Sequence, residues 1–287
     1  MPELPEVETV RRGLQPALEG ALLAEVRAFR PDLRFPFPER FEERLTGARV
    51  ERLDRRAKYL LASLDRGETL VMHLGMSGRF TVTRPGATLE PGGFYYAGAP
   101  DPKHTHVLFR TDAGAAIAYN DHRRFGYMGL VPTAELERHP WFAPLGPEPL
   151  GGGFDGSALV RAFRGRAQNV KATLLDQRVV AGLGNIYVCE ALHRARIHPE
   201  RPAGRIGRAR LDRLADEIRS VLTEAVENGG STLRDYAAAD GARGAFQDRF
   251  RVYDREHEGC LREGCRGVVR RLVQGGRSTF YCAGCQR

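Results

Sequence analysis

PTAELERHPWFAPLGPEPLGGG, residues 132–153, separates two patterns in the chain. Prolines at 132, 140, 144, 147 and 149 and glycines at 151–153 exclude a long regular element and mark a linker over 133–153. Upstream, short apolar runs recur at 48–53, 58–64, 69–74, 78–83, 106–111, 115–119 and 127–131, with glycine and proline turns between them. Strands this short and evenly spaced predict an antiparallel sandwich or barrel. Ahead of them, Val7, Val10, Leu14 and Leu18 fall at helical spacing over 3–18, and Pro2 and Pro5 sit where a helix start tolerates them. Downstream the period becomes helical. Leu211, Leu214, Ile218, Leu222 and Val226 form one stripe over 208–227, and 155–164, 170–178 and 186–195 read as shorter helices. The fold class is therefore α+β in two domains, an N-terminal β-sandwich or barrel with a flanking helix over 1–132 and a helical region after the linker.

Charge restricts the partners. Among 287 residues, 44 Lys and Arg stand against 36 acids, a net charge of +8, which favours a polyanion. No apolar run approaches the roughly 20 residues that span a bilayer. The start, Met1-Pro2-Glu3-Leu4-Pro5-Glu6, is acidic and unlike a signal peptide, so a cytoplasmic, nucleoid-associated monomer without membrane contact is expected.

Four of the five cysteines fall in the last 28 residues, as Cys260-x4-Cys265-x16-Cys282-x2-Cys285. Two close pairs of thiolates suit one tetrahedral, structural Zn²⁺. The β-rich runs 268–273 and 278–281 flank Gly275-Gly276, which predicts a hairpin and hence a zinc-finger ribbon over 246–287. Arg277 lies beside the tip of that hairpin. Cys189 stands apart and is expected to be a buried helix residue.

Two further segments invite chemistry. Gly182-Leu183-Gly184-Asn185 lies between helical segments; it lacks the third glycine and the preceding strand of a dinucleotide fingerprint. It reads either as a turn whose N–H groups and Asn185 side chain face a phosphate, or as a turn for close helix packing. At the N-terminus, removal of Met1 would expose the secondary amine of Pro2. An α-amino group titrates near 8, so an appreciable fraction is uncharged and nucleophilic at neutral pH. Glu3 stands ready to shuttle a proton; a plain helix start is the competing reading.

Taken together these segments resemble the formamidopyrimidine-DNA glycosylase family along the whole chain. The resemblance rests on Met1-Pro-Glu-Leu-Pro-Glu-Val-Glu8, Arg55-Arg56-Ala57-Lys58-Tyr59-Leu60, His73-Leu74-Gly75-Met76-Ser77-Gly78, Arg123-Arg124-Phe125-Gly126, Gly182-Leu183-Gly184-Asn185-Ile186-Tyr187, Ile197-His198-Pro199 and the cysteine hairpin with Arg277-Ser-Thr-Phe-Tyr-Cys282. It implies a helix-two-turn-helix DNA-binding domain over 154–245, with damaged double-stranded DNA in a cleft between the domains. It further implies excision of oxidised purines, 8-oxoguanine and formamidopyrimidines, with strand cleavage by β,δ-elimination in base excision repair. Pro2 corresponds to the Schiff-base nucleophile and Glu3 to the acid that assists base release. Lys58 corresponds to the proton donor for β-elimination and Arg277 to the residue of δ-elimination. Phosphate contacts carry over to His104, Arg123, Lys171 and Asn185, and to Arg166, where the family often has lysine.

Met76, Arg123 and Phe125 resemble the family's void-filling wedge. An enzyme that takes a base out of the stack leaves a gap, which apolar Met76 and Phe125 can fill while Arg123 bonds the orphaned partner. The glycine-rich 229–246 segment resembles the damaged-base loop, with Glu6, Ser231 and Thr232 as base-pocket candidates. Two alternatives stand beside this reading: an endonuclease VIII-like enzyme for oxidised pyrimidines, against which Leu4 argues, and a non-catalytic DNA-binding module. The x4 spacing of the first cysteine pair departs from the family's usual x2, and the enlarged 85–102 loop has no assigned role.

Overall fold

The structure, a computed structural model, describes residues 1–84, 86–92, 100–231 and 246–287. Thr232 and most of the expected base loop therefore lie outside the described residues, as do residues 85 and 93–99 of the 85–102 loop. The chain divides into two units, one of Met1–Ala143 with residues 229–231, the other of Pro144–Asn228 with residues 246–287.

In the first unit, helix α1 (Leu4–Leu18) precedes strand β1 (Leu23–Ala28), helix α2 (Phe41–Leu45) and strands β2 (Val50–Arg56), β3 (Tyr59–Leu64), β4 (Glu68–His73), β5 (Arg79–Arg84), β6 (Ala87–Leu89), β7 (Thr105–Thr111), β8 (Ala116–Asn120) and β9 (Tyr127–Pro132). The strands form two antiparallel sheets, ordered β1-β7-β8-β5-β6 and β2-β3-β4-β9. Leu53, Leu60, Leu70 and Met72 of one sheet share a core with Phe80, Val107, Phe109 and Ile117 of the other. Val7, Val10, Leu14 and Leu18 of α1 enter the same core. The unit is thus a β-sandwich with its helix packed on it, as the short, evenly spaced runs predict. Strand β1 escaped the sequence reading because only Leu23 and Val26 of it are buried, and its pairing slips between Leu23 and Glu25.

In the second unit, helices α3 (Gly156–Phe163), α4 (Val170–Leu175), α5 (Asn185–Arg194) and α6 (Arg208–Glu227) are followed by the hairpin β10 (Val269–Gln274) and β11 (Arg277–Cys282). Asp155 and Asn169 cap α3 and α4 by accepting from Ala158 N and Ala172 N, both at 2.8 Å. Between α4 and α5 the Gln177 side chain accepts from Gly182 N at 2.9 Å and donates to Leu183 O at 2.9 Å, which gives that turn a single shape. Leu159, Phe163, Leu174, Tyr187, Leu211 and Ile218 belong to one helical core.

Three expected boundaries move. Residues 133–153 are not a free linker, because both halves are packed. Trp141 lies 5.0 Å from the Tyr127 ring and over Gly129, where a Cβ would come within 2.7 Å of the indole; Phe142 is buried against Tyr59. Beyond the break at Ala143–Pro144, Gly146 N donates to Gln177 O and Ala181 N to Pro147 O in the helical unit. Burial of large aromatic side chains outweighs the proline-rich composition. Residues 229–231, assigned by sequence to the helical domain, belong with the sandwich, because Glu6 of α1 holds Ser231. Residues 246–287 are not a domain apart, since Phe246 and Phe250 enter the helical core and Glu190 binds the backbone of 251–253.

Candidate active site

The first unit buries the start of the chain. Pro2 is buried, and Glu3 is 4% exposed at the start of α1. Glu6, one turn along, joins two segments. Its Oε2 accepts from Glu3 N at 2.9 Å, and its Oε1 accepts from Ser231 N at 2.9 Å and Ser231 Oγ at 3.0 Å. Gly230 makes that approach possible: its φ is +85°, and a Cβ there would meet Glu6 Oε1 at 3.0 Å. The expected base-pocket pair Glu6 and Ser231 is therefore in direct contact.

Lys58 stands on a two-residue turn between β2 and β3, where Ala57 takes φ +52°. Its side chain is only 6% exposed. The turn is tied to α1. Arg55 donates to Ala57 O at 2.9 Å and pairs with Glu8 of α1 at 3.3 Å, while Arg11 of α1 donates to Leu53 O at 3.0 Å. Burial alone would raise the Glu8 carboxyl; the hydrogen bond and charge of Arg11, with Arg12 and Arg55, outweigh it and hold the group below its ordinary value. The helix that carries Pro2 and Glu3 is thereby registered on the turn that carries Lys58.

His73, at the end of β4, belongs to this corner and was not singled out by the sequence reading. Its Nδ1 accepts from Gly75 N at 3.0 Å, which fixes the tautomer with the proton on Nε2. The ring stacks on Tyr127 at 4.9 Å. Burial, then the positive charges of Lys58 and Arg34, push its pKa down to about 4, so it is a neutral donor at pH 7.

The wedge residues occupy two loops of the first unit. Met76 follows β4 and is 38% exposed; Phe125 lies between β8 and β9 and is 45% exposed, with the Arg123 guanidinium 4.6 Å over its ring. The loops touch through backbone: a Cβ on Gly75 would lie 2.3 Å from Phe125 C. Asp121, fully buried, binds both. Its Oδ2 accepts from Gly126 N at 2.8 Å, and its Oδ1 accepts from the Ser77 hydroxyl and from Arg123 N at 3.3 Å. Asp121 N in turn donates to His104 O at 3.0 Å, which places His104 at the edge of the same loop. An Asp two residues before a turn N–H is a legible Asx-turn signal, but the reach to Ser77 is not local.

The second unit gathers its candidates at the hairpin tip. Gly275 and Gly276, at φ +55° and +73°, form the tight turn that leaves Arg277 exposed. Asn185, at the N-terminus of α5, donates to Ser278 O at 2.9 Å and lies 3.4 Å from the Tyr253 hydroxyl. Glu190 supports this arrangement from below. Fully buried, it accepts backbone N–H groups of Arg251, Val252 and Tyr253 at 2.9–3.0 Å, and burial raises its pKa despite them. Arg166 is half-buried and paired with Asp176 at 3.6 Å. Lys171 requires a correction. It is fully buried, and its ammonium donates to Thr279 Oγ1 at 2.6 Å and Ser278 O at 3.2 Å. Buried there, it braces the hairpin tip and does not reach outward to a phosphate.

At the other end of the hairpin the sulfurs of Cys260, Cys265, Cys282 and Cys285 all lie within 4.8 Å of one another. Cys260 and Cys285 are 3.9 Å apart and Cys265 and Cys282 3.7 Å, close to the roughly 3.8 Å edge of a tetrahedron with 2.3 Å metal–sulfur bonds. Arg262 N and Gly267 N donate to Cys260 and Cys265 at 3.5 and 3.3 Å, as metal-binding knuckles do. The two extra residues of the first pair are absorbed by a turn in which Gly264 takes φ +70° and Cys265 N donates to Arg262 O. The cluster can bind a metal. Cys189 is buried beneath it, as expected of a helix residue.

This pairing of a sandwich that opens on Pro-Glu with a helical unit that ends in a four-cysteine hairpin defines a class of two-unit proteins. Residues 1–128 match the family model for the formamidopyrimidine-DNA glycosylase N-terminal domain, and residues 145–237 that for the formamidopyrimidine-DNA glycosylase H2TH domain. The chain belongs to the formamidopyrimidine-DNA glycosylase family. It is 63% identical over 286 residues to the formamidopyrimidine-DNA glycosylase of Caulobacter sp. (strain K31), and 64% identical over 287 residues to that of Phenylobacterium zucineum, with 100% of each chain covered in both cases. Among solved structures it is similar to the Lactococcus lactis Fpg in complex with an abasic site containing DNA, with a TM-score of 0.84, 32% identity and 99% of each chain covered. It is also similar to the MutM (Fpg) protein of Thermus thermophilus, with a TM-score of 0.82 and 40% identity over 99% of this chain and 98% of that one. No helix among the described residues is long and apolar enough to cross a membrane.

Proposed function

We propose that the chain is a bifunctional DNA glycosylase and abasic-site lyase that removes 8-oxoguanine and formamidopyrimidines from damaged duplex DNA. The observation that carries this reading is the buried Pro2-Glu3 start, whose helix is tied through Glu8 and Arg55 to the turn bearing buried Lys58. Family membership supports the same reaction, as do the related structures that contain damaged DNA.

Removal of Met1 frees the Pro2 amine. Its nitrogen attacks the sugar C1′; the C–N bond to the damaged base breaks, and the base departs with a proton supplied on the Glu3 side. The product is a ring-opened iminium, a cationic electron sink. Loss of a C2′ proton then expels the 3′-phosphate, with Lys58 as the proton donor, and a second elimination, assisted by Arg277, expels the 5′-phosphate. His73, neutral and with its proton on Nε2, supplies a hydrogen bond beside Lys58 without further charge. Met76 and Phe125 fill the space of the extruded base, Arg123 bonds its partner, and Glu6, Ser231 and Thr232 are the assigned base-pocket residues. His104, Arg123, Arg166 and Asn185 are the phosphate contacts. One structural Zn²⁺ on the four cysteines would hold the hairpin that presents Arg277. The protein acts as a cytoplasmic, nucleoid-associated monomer.

Borohydride trapping on duplexes containing 8-oxoguanine tests the mechanism. A covalent adduct that maps to Pro2 is expected, and Pro2→Gly should lose strand cleavage far more than DNA binding. Efficient nicking with no trappable adduct would overturn it. Faster excision of thymine glycol than of 8-oxoguanine would reassign the substrate to oxidised pyrimidines.

A further inference from the structure

Seven arginines of the second unit pair with an Asp or Glu: Arg166 and Arg178 with Asp176, Arg194 with Glu224, Arg208 with Asp212, Arg219 with Asp216, Arg255 with Glu258 and Arg271 with Glu256. Six others do not. Arg196, Arg210, Arg213, Arg262, Arg266 and Arg287 have no Asp or Glu carboxylate within 4.0 Å among the described residues, yet together they line one cleft of about 850 Å³. The cleft lies among the C-terminal turn of α5, the first turns of α6 and the cysteine knuckles, and Glu263 is the one acid in its lining. Burial, then the charges of Arg201 and Arg213, lower the Arg210 guanidinium below its ordinary value.

The six divide by role. Arg210 donates to Arg196 O at 2.7 Å and Arg287 O at 2.6 Å; Arg262 donates to His193 O at 2.7 Å and Arg194 O at 3.1 Å. These two tie main-chain oxygens at and just past the end of α5 and at residue 287, a structural task. The guanidinium groups of Arg196, Arg213, Arg266 and Arg287 make no hydrogen bond among the described residues, and all four side chains are exposed. Like charges gathered on one wall destabilise a fold by self-repulsion, and nothing in the packing of this unit requires these four.

Nor does the cleft serve the hairpin tip. Arg277, with Asn185 and Lys171 gathered on adjacent Ser278, stands at one end of β11, whereas the cleft adjoins Cys285 and residues beyond Cys282, the other end. Five residues of extended strand separate the ends by about 17 Å.

We propose that this cleft is a docking site for an acidic peptide segment, rich in Asp and Glu, of a partner protein. Its concavity favours a thin chain, since a rigid duplex carries its phosphates on a convex surface and touches only the rim. Single strands are gripped by aromatic side chains that stack on bases, and the lining contains no aromatic residue. Carboxylates need only the planar guanidinium forks that are present, each able to bind two oxygens at once.

The test uses the full-length, metal-loaded protein and a fluorescein-labelled octapeptide of alternating Asp and Glu, followed by anisotropy at low salt. Saturable binding is expected, at least tenfold tighter than for the matching Asn/Gln peptide. The double variant Arg213→Glu, Arg266→Glu should weaken binding at least tenfold while excision of 8-oxoguanine stays within twofold. Arg213→Gln, Arg266→Gln provides the same comparison should charge reversal disturb folding, with an unchanged thermal midpoint as the control. Failure of the peptide to bind, or binding untouched by the variants, overturns the proposal. So does displacement by an eight-nucleotide oligo-dT at lower concentration than unlabelled peptide, which would make the cleft a nucleic-acid surface. Stoichiometric displacement by lesion duplex would place the peptide on the DNA face and overturn it too. None of these outcomes depends on the Pro2 chemistry, so the two readings stand or fall separately.

Discussion

Replacing Asp121 by Asn should separate base excision from strand cleavage. Asp121 is fully buried and binds two loops, accepting from Ser77 on the Met76 side and from Arg123 N at 3.3 Å and Gly126 N at 2.8 Å on the Phe125 side. Asparagine preserves the shape but turns one acceptor into a donor. With its amide nitrogen at the Oδ2 position it faces Gly126 N–H; at the Oδ1 position it faces Arg123 N–H, while the Ser77 hydroxyl rotates to accept. The second orientation is the better one, because Arg123 N keeps the Ser77 hydroxyl oxygen 3.2 Å away; the cost is then the charge assistance lost at the bonds to Ser77, Arg123 and Gly126. The expected loss is about 2 kcal/mol, which urea unfolding measures directly. Loosened loops misplace Met76 against Arg123 and Phe125. Single-turnover excision of 8-oxoguanine should fall about 100-fold, near 2.7 kcal/mol of barrier. Nicking of a preformed abasic site should fall less than about fivefold, because no base remains to be extruded. Equal losses on the two substrates would refute the assignment of the clamp to the wedge. A stability change below about 0.5 kcal/mol would refute the hydrogen-bond accounting itself.

Gly230→Ala combines a left-handed φ of +85° with a Cβ 3.0 Å from Glu6 Oε1, so it should cost about 1–2 kcal/mol and displace Glu6 from Ser231. Thermal unfolding and the excision rate should both register it. His73 titrates near 4 when folded and near 6.5 when unfolded, so its stabilising contribution is complete above about pH 6.5 and is lost as pH falls from there towards 4. The loss amounts to about 3 kcal/mol at most, and His73→Gln should flatten that limb of the stability–pH curve. Chelation should unfold the hairpin region around the four cysteines and weaken DNA binding, because Val269, Phe280 and the cysteines make too small a core to stand without metal. An apo-protein with full affinity and an unchanged near-UV spectrum would show that the metal is dispensable.

Much of this protein is legible in its residues alone, where the relevant physics is local. Short, evenly spaced apolar runs mark the strands of the sandwich and a 3.6-residue period marks the helices after it, because both patterns follow from local backbone geometry. The cysteine spacing and Gly275-Gly276 mark the metal hairpin for the same reason, since each depends on residues a few positions apart. The Pro2-Glu3 start and the wedge motifs were likewise visible. What required the folded chain was every relation over long sequence distance. Glu6 meets Ser231, Asp121 meets Ser77, and His73 loses its proton to burial beside Lys58. Lys171 reads as a surface cation and proves to be a buried brace, and Trp141 turns an apparent linker into a packed edge. The arginine cleft belongs with these, for its arginines come from residues 196–287 and only folding brings them onto one wall. Burial and pairing depend on which surfaces meet, and a linear pattern records that only for neighbours.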